Sequence, residues 1–489
     1  MASTAPAKKR AYWVDAAVFA AIYLFFQVIL PAPEPITKAG MGVLGFFFGT
    51  LYMWIRVDIG WPSLFVLGLI CFTGVTTPGT LFSKTWGNSM VPFLICAFLL
   101  NMVLADTGLS RRFALFFITR KRNRGRPWRL LTMFFLAVLL MGLVSTSSAI
   151  TVMFMAIAEE IFRMTGYKKG DRLVEAMMIG IFWVAQGAMA YTPISHVLIP
   201  MIFEYIAADF GITITYTRYT LGFLLAGAGF FVGWMLILRF IIRPDVEKLK
   251  NLDIDALKAS LKPWSKQEIT ALIVYVAVII MWCFPDVIGL IPSLQGVSKW
   301  MSSLGSAAPA MVAVGVLALI NYDGKPMLDV KECCKRLPWG NVFMMATVMG
   351  MGFVFGLDTV GVSAWIMKVV SPLMSGLSPH LFVLVVIIFI TVMTDFVSNT
   401  LSASMYAVII PIAMTVPGVN PIVVALFIAA GCNSSFTFPS GCPAASLASG
   451  GGWTRVSFQI KYGFMVNTWA IITYFTLAYP ILMKLFPYS

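Results

Sequence analysis

The feature that most constrains this chain is a series of apolar stretches of about 20 residues, which recurs from one end of the sequence to the other. Each stretch is long enough to cross a hydrocarbon core of roughly 30 Å as a helix. Hydrophobic residues make up 59% of the 489 residues and charged residues only 11%, whereas about a quarter of a water-soluble domain is charged. The sequence therefore predicts an all-α integral membrane protein whose surroundings are the lipid bilayer.

Positive charge lies in short clusters of Lys and Arg beside the apolar stretches rather than on one basic face, although the net charge is +14. This pattern argues against a nucleic-acid partner and instead orients the spans, because cytoplasmic loops of membrane proteins are rich in Lys and Arg. The cluster Lys8-Lys9-Arg10 predicts a cytoplasmic amino terminus. Counting crossings from it predicts eleven transmembrane helices, a carboxyl terminus outside and a place in the cell inner (plasma) membrane.

Two apolar segments do not fit a single crossing. Residues 129–163 have basic clusters at both ends, so a re-entrant hairpin that enters from the cytoplasm and returns there keeps both clusters inside. The hydroxyl run Ser145-Thr146-Ser147-Ser148 suits the turn of this hairpin. Residues 380–416 are predicted to form a second hairpin that enters from outside, because the helix before them exits and the helix after them must run inward.

The sequence also contains an internal repeat. Three landmarks recur about 250 residues apart: Asp106-Thr107 with Asp358-Thr359, Ser145 with Ser398, and Thr192-Pro193 with Cys442-Pro443. An odd number of crossings separates the halves, which predicts that the second is inverted relative to the first. Inverted repeats with broken helices are typical of secondary transporters.

The predicted segments follow from the repeat. Residues 1–85 contain helices 1–3, and residues 86–243 form the first repeat core, in which a helix at 173–208 is broken at Tyr191-Thr192-Pro193. Residues 244–266 are predicted to form a cytoplasmic amphipathic linker. Residues 267–489 form the inverted second half, which has a broken helix at 421–448.

The strongest local signal is Thr394-Asp395-Phe396-Val397-Ser398-Asn399-Thr400 within the second hairpin. Clustered hydroxyls and an amide can coordinate a dehydrated cation and donate to a carboxylate. The alternative is hydrogen bonding between helices, which Ser, Thr and Asn often provide in membranes. Asp395 favours a site, because an ionisable residue at membrane depth is usually functional.

This motif resembles the Thr-Glu-Phe-x-Ser-Asn-Thr signature of the divalent anion/sodium symporter family, within the ion transporter superfamily, with Asp395 in place of the glutamate. The order of helices, hairpins and breaks is similar over nearly the whole chain. The resemblance implies a secondary transporter of dicarboxylates, tricarboxylates or sulfate that is coupled to sodium and has no other cofactor. It also implies an elevator movement of a transport domain against a scaffold that includes residues 1–85, usually in a homodimer, and no enzyme activity.

Carried over by motif, the resemblance implies the residues of the site. Those expected to hold sodium are Thr394, Asp395, Ser398, Asn399, Gly441, Ser145 and Tyr191. Those expected to face the substrate are Ser145, Thr146, Ser147, Thr192, Pro193, Asn399, Thr400, Cys442 and Pro443.

The sequence departs from the family pattern mainly in its first half. Ser145-Thr146-Ser147 stands where the family has Ser-Asn-Thr, and Met141 stands where the family has an earlier hydroxyl. Weaker cation binding there leaves a sodium-independent anion exchanger as an alternative. A cation/proton antiporter or an oxyanion pump of the same superfamily would depend on Asp395. An intramembrane enzyme is disfavoured, because the sequence has no His-Glu-x-x-His motif and no constellation of paired carboxylates.

Overall fold

The computed structural model describes residues 12–259, 261, 263–362, 364–365, 368–369, 377–396, 399–439, 441–450 and 452–488. The fold is mostly helical, as predicted. The first helices are α1 (Trp13–Leu24), α2 (Lys38–Arg56), α3 (Trp61–Cys71), α4 (Pro78–Lys84), α5 (Met90–Asp106), α6 (Leu109–Ile118), α7 (Pro127–Gly142), α8 (Ser147–Thr165), α9 (Arg172–Ala188), α10 (Leu198–Phe210), α11 (Tyr216–Leu236) and α12 (Ile254–Ala259). They are followed by α13 (Lys266–Gly289), α14 (Gln295–Ser303), α15 (Ala307–Leu319), α16 (Val330–Arg336), α17 (Trp339–Phe355), α18 (Pro379–Phe396), α19 (Asn399–Ser404), α20 (Tyr406–Thr415), α21 (Pro421–Gly431), α22 (Pro443–Gly450), α23 (Val456–Thr473) and α24 (Tyr479–Leu485).

Short irregular segments extend or connect these helices. The π-helical segments are Phe25–Ile29, Ile237–Ile242 and Tyr474–Ala478, and the 3-10 turns are Lys121–Asn123, Glu247–Asn251 and Pro292–Leu294. Strands β1 (Asn321–Tyr322) and β2 (Lys325–Pro326) form a small antiparallel ladder. The all-α prediction missed this ladder, which closes on Gly324 in the left-handed region (φ 77°).

Four helices are long and apolar enough to cross a bilayer on their own: Tyr216–Ile242, Lys266–Gly289, Pro379–Phe396 and Val456–Leu485. The number rises to seven if each of three bent helix pairs counts as one span. The described residues therefore form a multi-pass membrane protein, and the prediction of eleven spans stays a prediction. Several other predicted spans are divided into helices of 17 residues or fewer.

Some predicted boundaries were wrong. α3 ends at Cys71, Gly74 adopts a left-handed conformation (φ 74°), and α4 then starts at Pro78. The described residues of the predicted linker over 244–266 contain one 3-10 turn and the short α12. The break predicted at 191–193 is longer and covers residues 189–197, since α9 ends at Ala188 and α10 begins at Leu198.

The chain forms two compact units. One contains residues 1–91 and 338–376, within which α3 and α17 pack together and Thr347 donates its hydroxyl to the carbonyl of Ser63 at 2.9 Å. The other contains residues 92–337 and 377–489. The predicted site segments all fall in this second unit.

Within the second unit, α11 packs closely and antiparallel against α23 and α24. A Cβ built on Gly222 of α11 would lie 2.4 Å from Leu482, and a Cβ built on Gly233 would lie 1.8 Å from Trp469. The later residue of α11 thus meets the earlier residue of its partner, so the two helices run in opposite directions. The Trp469 indole donates to the carbonyl of Gly229 at 2.9 Å. Small residues on α11 therefore let the helix approach α23 and α24 closely, as the Gly229-Gly233 spacing indicates.

Two helical hairpins pack around this pair. Both ends of the first, α7 and α8, lie near the carboxyl end of α11: Arg239 stacks over Trp128, 5.3 Å from the ring centroid, and the Tyr167 hydroxyl donates to the carbonyl of Asp245 at 2.9 Å. The segment Glu247–Asn251 packs on both α7 and α8.

Both ends of the second hairpin, residues 379–418, lie instead near the carboxyl end of α24. A Cβ built on Gly418 would lie 3.1 Å from Pro379, and the neighbouring His380 ring nitrogen Nδ1 is 2.9 Å from the Tyr479 hydroxyl. The Asn420 amide donates to the carbonyl of Phe486 at 2.6 Å. Because α11 and α24 run in opposite directions, the two hairpins open toward opposite ends of the helix pair.

Candidate functional site

The tip of the second hairpin gathers three oxygen atoms. The Thr394 hydroxyl oxygen lies 3.0 Å from Asn399 Oδ1 and 2.8 Å from the carbonyl oxygen of Cys432, the residue that follows α21. Thr394 is fully buried. A hydroxyl has one hydrogen to donate, and carbonyls at a helix end lack intrahelical partners. This cluster therefore has oxygen lone pairs to offer a small cation.

Asp395, next to Thr394, is buried and accepts four hydrogen bonds. Its Oδ1 accepts from the backbone N–H groups of Phe436 and Thr437, both at 2.8 Å. Its Oδ2 accepts from the Thr437 hydroxyl at 2.6 Å and from the Asn467 amide at 2.5 Å. The carboxylate thus ties the hairpin tip to the chain break after α21 and to α23. Its neighbour Ser398 lies outside the described residues.

The second helix break covers residues 432–442, between α21 and α22. Gly441 has no room for a side chain without a shift, because a Cβ would lie 2.0 Å from the Ser435 hydroxyl and 3.3 Å from the carbonyl oxygen of Asp395. The carbonyl of Cys442 accepts a hydrogen bond from the N–H of Ala445 in the first turn of α22. Pro443 occupies the first position of this helix. The amino end of α22 therefore starts beside the hairpin tip.

The first hairpin turns at residues 143–146, and its tip lies against the end of α9. Ser145 and Ser147 are buried, and the backbone N–H of Ser147 donates to the thioether sulfur of Met189 at 3.1 Å. A Cβ built on Gly142 would lie 2.7 Å from Ala188. The first tip is thus in contact with the start of the first helix break.

The first helix break contains Tyr191, Thr192 and Pro193, all buried. The Thr192 hydroxyl oxygen accepts from the N–H of Ile194 at 3.2 Å, which closes a local turn. Within the described part of the chain, the Ser195 hydroxyl and His196 Nδ1 are buried without a hydrogen-bond partner. This break therefore keeps buried polar groups that no described residue satisfies.

Two side chains of α9 connect the breaks. Gln186 donates to the carbonyl of Asn433 at 3.0 Å and accepts from the Cys442 thiol at 3.7 Å. One turn earlier, the Trp183 indole donates to the carbonyl of Phe436 at 2.8 Å. The two halves thus share one buried polar region at mid-length of the helix pair.

The structure brings some of the predicted residues together and not others. Thr394 and Asn399 are in contact, as are Asp395 and Gly441 through the backbone. Thr146 and Thr400 are half-buried beside their tips. No hydrogen bond joins the hydroxyls of the first tip to the second tip among the residues that the structure describes.

Sequence reasoning missed the residues that hold these parts in place, namely Gln186, Met189, Cys432, Asn433, Thr437 and Asn467. A signal was present for two of them, because Gln186 and Asn467 are isolated amides inside apolar helices. Their partners depend on contacts between distant segments, which local patterns do not encode.

The tips and breaks contain no Lys or Arg. An anion bound here would meet hydroxyls and the amino ends of half-helices, whose free N–H groups carry partial positive charge. A cation would meet hydroxyl, amide and carbonyl oxygens. The tips and breaks therefore present hydrogen-bond donors and oxygen acceptors without a cationic side chain.

The chain is similar to several known transporters. The chain is 24% identical to the sodium-dependent dicarboxylate transporter SdcS of Staphylococcus saprophyticus, an alignment that covers 94% of this chain and 89% of the relative. It is 21% identical to the Na(+)/citrate cotransporter of Rattus norvegicus over 50% of this chain and 48% of that protein. The YdaH transporter of Alcanivorax borkumensis has a similar fold, with a TM-score of 0.54 at 14% identity, over 91% of this chain and 100% of that one.

A family model described as the sodium:sulfate symporter transmembrane region matches residues 10–485, nearly the whole chain. The prediction of this family from the 394–400 motif is confirmed, and the chain belongs to the sodium:sulfate symporter family.

Proposed function

We propose that this protein is a secondary active transporter of divalent organic anions, such as dicarboxylates or tricarboxylates, coupled to sodium. The observation that carries the proposal is that each hairpin tip contacts a helix break and that α9 connects the two breaks, in a buried region whose tips and breaks contain no Lys or Arg. The names of the relatives, a sodium-dependent dicarboxylate transporter and a Na(+)/citrate cotransporter, support the substrate class and the coupling ion.

We propose that the two hairpins are re-entrant and that the repeats are inverted across eleven spans, with the amino terminus in the cytoplasm and the carboxyl terminus outside the plasma membrane. The opposite openings of the hairpins support this orientation. Hairpin turns and helix breaks leave backbone groups that cost several kcal/mol in lipid, and a polar cavity between them satisfies these groups.

One sodium ion would bind at the second tip, held by Thr394, Ser398, Asn399 and the backbone near Gly441. The carbonyl oxygen of Cys432, 2.8 Å from the Thr394 hydroxyl, would add a ligand. Asp395 lies beside this cluster, and its four protein donors assign it mainly to holding the ligands in place. The same occupied oxygens weigh against a proton antiporter or oxyanion pump that depends on Asp395.

The substrate would lie between the halves, with one carboxylate at each. On the second side it would face Asn399, Thr400, Cys442 and Pro443, near the amino end of α22. On the first side it would face Ser145–Ser147 and the Thr192-Pro193 turn. Helix amino ends attract anions, so each side supplies attraction without a cationic side chain.

An elevator movement fits this arrangement, because the proposed site residues lie within the compact unit of residues 92–337 and 377–489. We propose that this unit carries the substrate across the membrane and that the protein acts as a homodimer.

A sodium-independent anion exchanger is a second candidate, favoured by one observation. Met141 replaces a hydroxyl before the first tip, and the Met189 sulfur occupies the N–H of Ser147. Thioethers are soft ligands that suit a hard cation such as sodium poorly. Few oxygen ligands therefore remain for a cation at Ser145 and Tyr191.

Uptake of labelled succinate into proteoliposomes tests the proposal. With an inward sodium gradient, we expect uptake well above that of protein-free liposomes, and we expect it to collapse when potassium replaces sodium. Uptake that ignores sodium but rises with internal succinate would select the exchanger. The absence of uptake of succinate, citrate and sulfate under both conditions would refute an anion transporter.

A further inference from the structure

One side chain, Gln186, spans the second helix break. Its amide nitrogen donates to the carbonyl of Asn433, two residues after α21 ends, and its amide oxygen accepts from the thiol of Cys442, one residue before α22 begins. Gln186 is fully buried. Both hydrogen-bonding groups of the amide are thus used, one on each edge of the break.

The position of Gln186 on α9 is fixed by its neighbours. Trp183, one turn earlier on the same face, donates to the carbonyl of Phe436 at 2.8 Å. A Cβ built on the adjacent Gly187 would lie 2.5 Å from the ring of Phe230, so α9 packs closely on α11 at this level. The amide of Gln186 therefore sets the spacing between the end of α21 and the start of α22.

This contact also decides what Cys442 presents to a bound anion. Cys442 occupies the residue before the first turn of α22, where Ser, Thr, Asp or Asn is usual. A thiol has one hydrogen, and here it is directed at the Gln186 oxygen. The sulfur can then offer only lone pairs to a substrate, so position 442 contributes no hydrogen-bond donor.

We propose that Gln186 is a positioning residue that sets the anion affinity of the site, by fixing the second break, and that it also holds the Cys442 hydrogen away from the substrate. This inference rests on the proposed function for its link to affinity, whereas the effect on the thiol does not require it. Substrate affinity would depend on Gln186 although the residue does not contact the anion.

The test compares Gln186→Leu with Gln459→Leu in full-length protein. Gln459 on α23 is a matched control, because it is also fully buried and its amide makes no hydrogen bond within the described residues. For each variant, the KM and maximal rate of succinate uptake are measured in proteoliposomes, and alkylation of Cys442 by N-ethylmaleimide is followed by mass spectrometry of its peptide. Size-exclusion profiles in detergent check that each variant folds.

We expect Gln186→Leu to raise KM about tenfold with little change in maximal rate, because the loss of both hydrogen bonds that fix the break outweighs the thiol donor that the change frees, and to speed alkylation of Cys442 severalfold. Gln459→Leu should change neither quantity. The inference is overturned if Gln186→Leu matches Gln459→Leu in both. If the wild type transports no dianion, the proposed function fails, and the alkylation rates alone decide whether Gln186 holds the thiol.

Gln186→Glu keeps the shape of the side chain and covers the case in which the leucine variant does not fold. A protonated carboxyl has one donor and one acceptor, like the amide, whereas a carboxylate only accepts. The ratio of the variant KM to the wild-type KM should therefore be close to one at low pH and rise with pH. A ratio that stays well above one at low pH, where the carboxyl again has a hydrogen to donate, would remove the hydrogen bond to Asn433 from the explanation.

Discussion

In the second half of the site, the hydroxyl of Thr394 lies within 3.0 Å of an amide oxygen and a carbonyl oxygen, and a carboxylate with four donors anchors the cluster. In the first half, the N–H of Ser147 meets the sulfur of Met189 at 3.1 Å. Both halves have a hairpin tip beside a helix break. The halves differ in the atoms that surround the hairpin tip.

An anion and a cation make unequal demands on a repeated backbone. An anion needs N–H groups at helix ends, which any sequence supplies if the helix starts in the right place. A cation needs several side-chain and carbonyl oxygens in fixed positions. One half of such a repeat can therefore lose cation ligands and still present backbone N–H groups to an anion.

The largest expected effect concerns the proposed re-entrant path of both hairpins. Each introduced cysteine should be labelled from one side of the membrane and not from the other. Cysteines introduced at the exposed positions Arg120 and Lys168, which flank the first hairpin, should react with an impermeant maleimide from the same side of the membrane. Cysteines at the exposed Ser378 and Pro417, which flank the second, should react only from the other side. The measurement uses sealed right-side-out and inverted vesicles of a variant with Cys333 and Cys334 replaced by serine.

Opposite reactivity at positions 120 and 168 would make the first hairpin a plain crossing. The two halves would then not share a layout, and the comparison between them would fail.

Asp395 anchors the second half of the site, so Asp395→Asn should strongly reduce both stability and transport. The variant places an amide NH2 among four donors, so at least one hydrogen bond is lost and one donor faces another. We expect a loss of about 3 kcal/mol of folding free energy and transport at background level. Thermal unfolding in detergent, followed by Tm, measures the first and succinate uptake the second.

Asp106→Asn is the control, because Asp106 forms an exposed ion pair with Arg336 and its side chain is 51% exposed. Such pairs contribute about 1 kcal/mol or less. If both variants lower Tm equally, the burial of Asp395 does not explain its role.

A smaller effect should separate the cation from the substrate. Thr394→Val keeps the shape of the side chain and removes one oxygen of the proposed sodium site. The sodium concentration for half-maximal uptake should rise about tenfold, equivalent to about 1.4 kcal/mol. Thr391→Val, one turn earlier, removes a buried hydroxyl that has no hydrogen-bond partner among the described residues and should leave sodium dependence unchanged. Equal sodium dependence in the two variants would remove Thr394 from the cation site.

Much of this layout can be predicted from the sequence. The bilayer imposes apolar stretches of constant length and forbids turns that are exposed to lipid. The tips are therefore marked by the hydroxyl runs at 145–148 and 394–400. The breaks are marked by the pairs Thr192-Pro193 and Cys442-Pro443. The helices found on either side of these marks begin and end close to the predicted residues. A chain in water would carry a weaker signal, since polar loops there have no special cost.

The packing around the marks could not be predicted in the same way. The Asn467 amide reaches Asp395 across 72 residues of sequence, and Gln186 reaches Asn433 across 247. Such contacts depend on how α23 and α9 are placed by the whole fold. The sequence shows that an isolated amide needs a partner, but it does not show which partner it finds.

The smallest expected effect tests the first half directly. Ser145→Ala removes a buried hydroxyl from the first tip, where the prediction from family resemblance places both sodium and substrate. If this half binds only substrate, KM for succinate should rise by about threefold to tenfold, within the range for one hydrogen bond, while the half-maximal sodium concentration stays within about twofold of the wild type. Sodium titrations of uptake at saturating succinate separate the two quantities.

Met189→Leu provides the matched change on the other side of the same contact, because it removes the sulfur that accepts from Ser147 and nearly preserves volume. It should affect succinate KM less than Ser145→Ala does, since the freed N–H remains available to the anion at the start of α8. If Ser145→Ala instead shifts the sodium requirement as far as Thr394→Val does, the first tip binds a cation with the oxygens that remain. The difference between the oxygen cluster at Thr394 and the contact of Ser147 with the Met189 sulfur would then reflect side-chain packing, and it would not decide which half binds the coupling sodium ion.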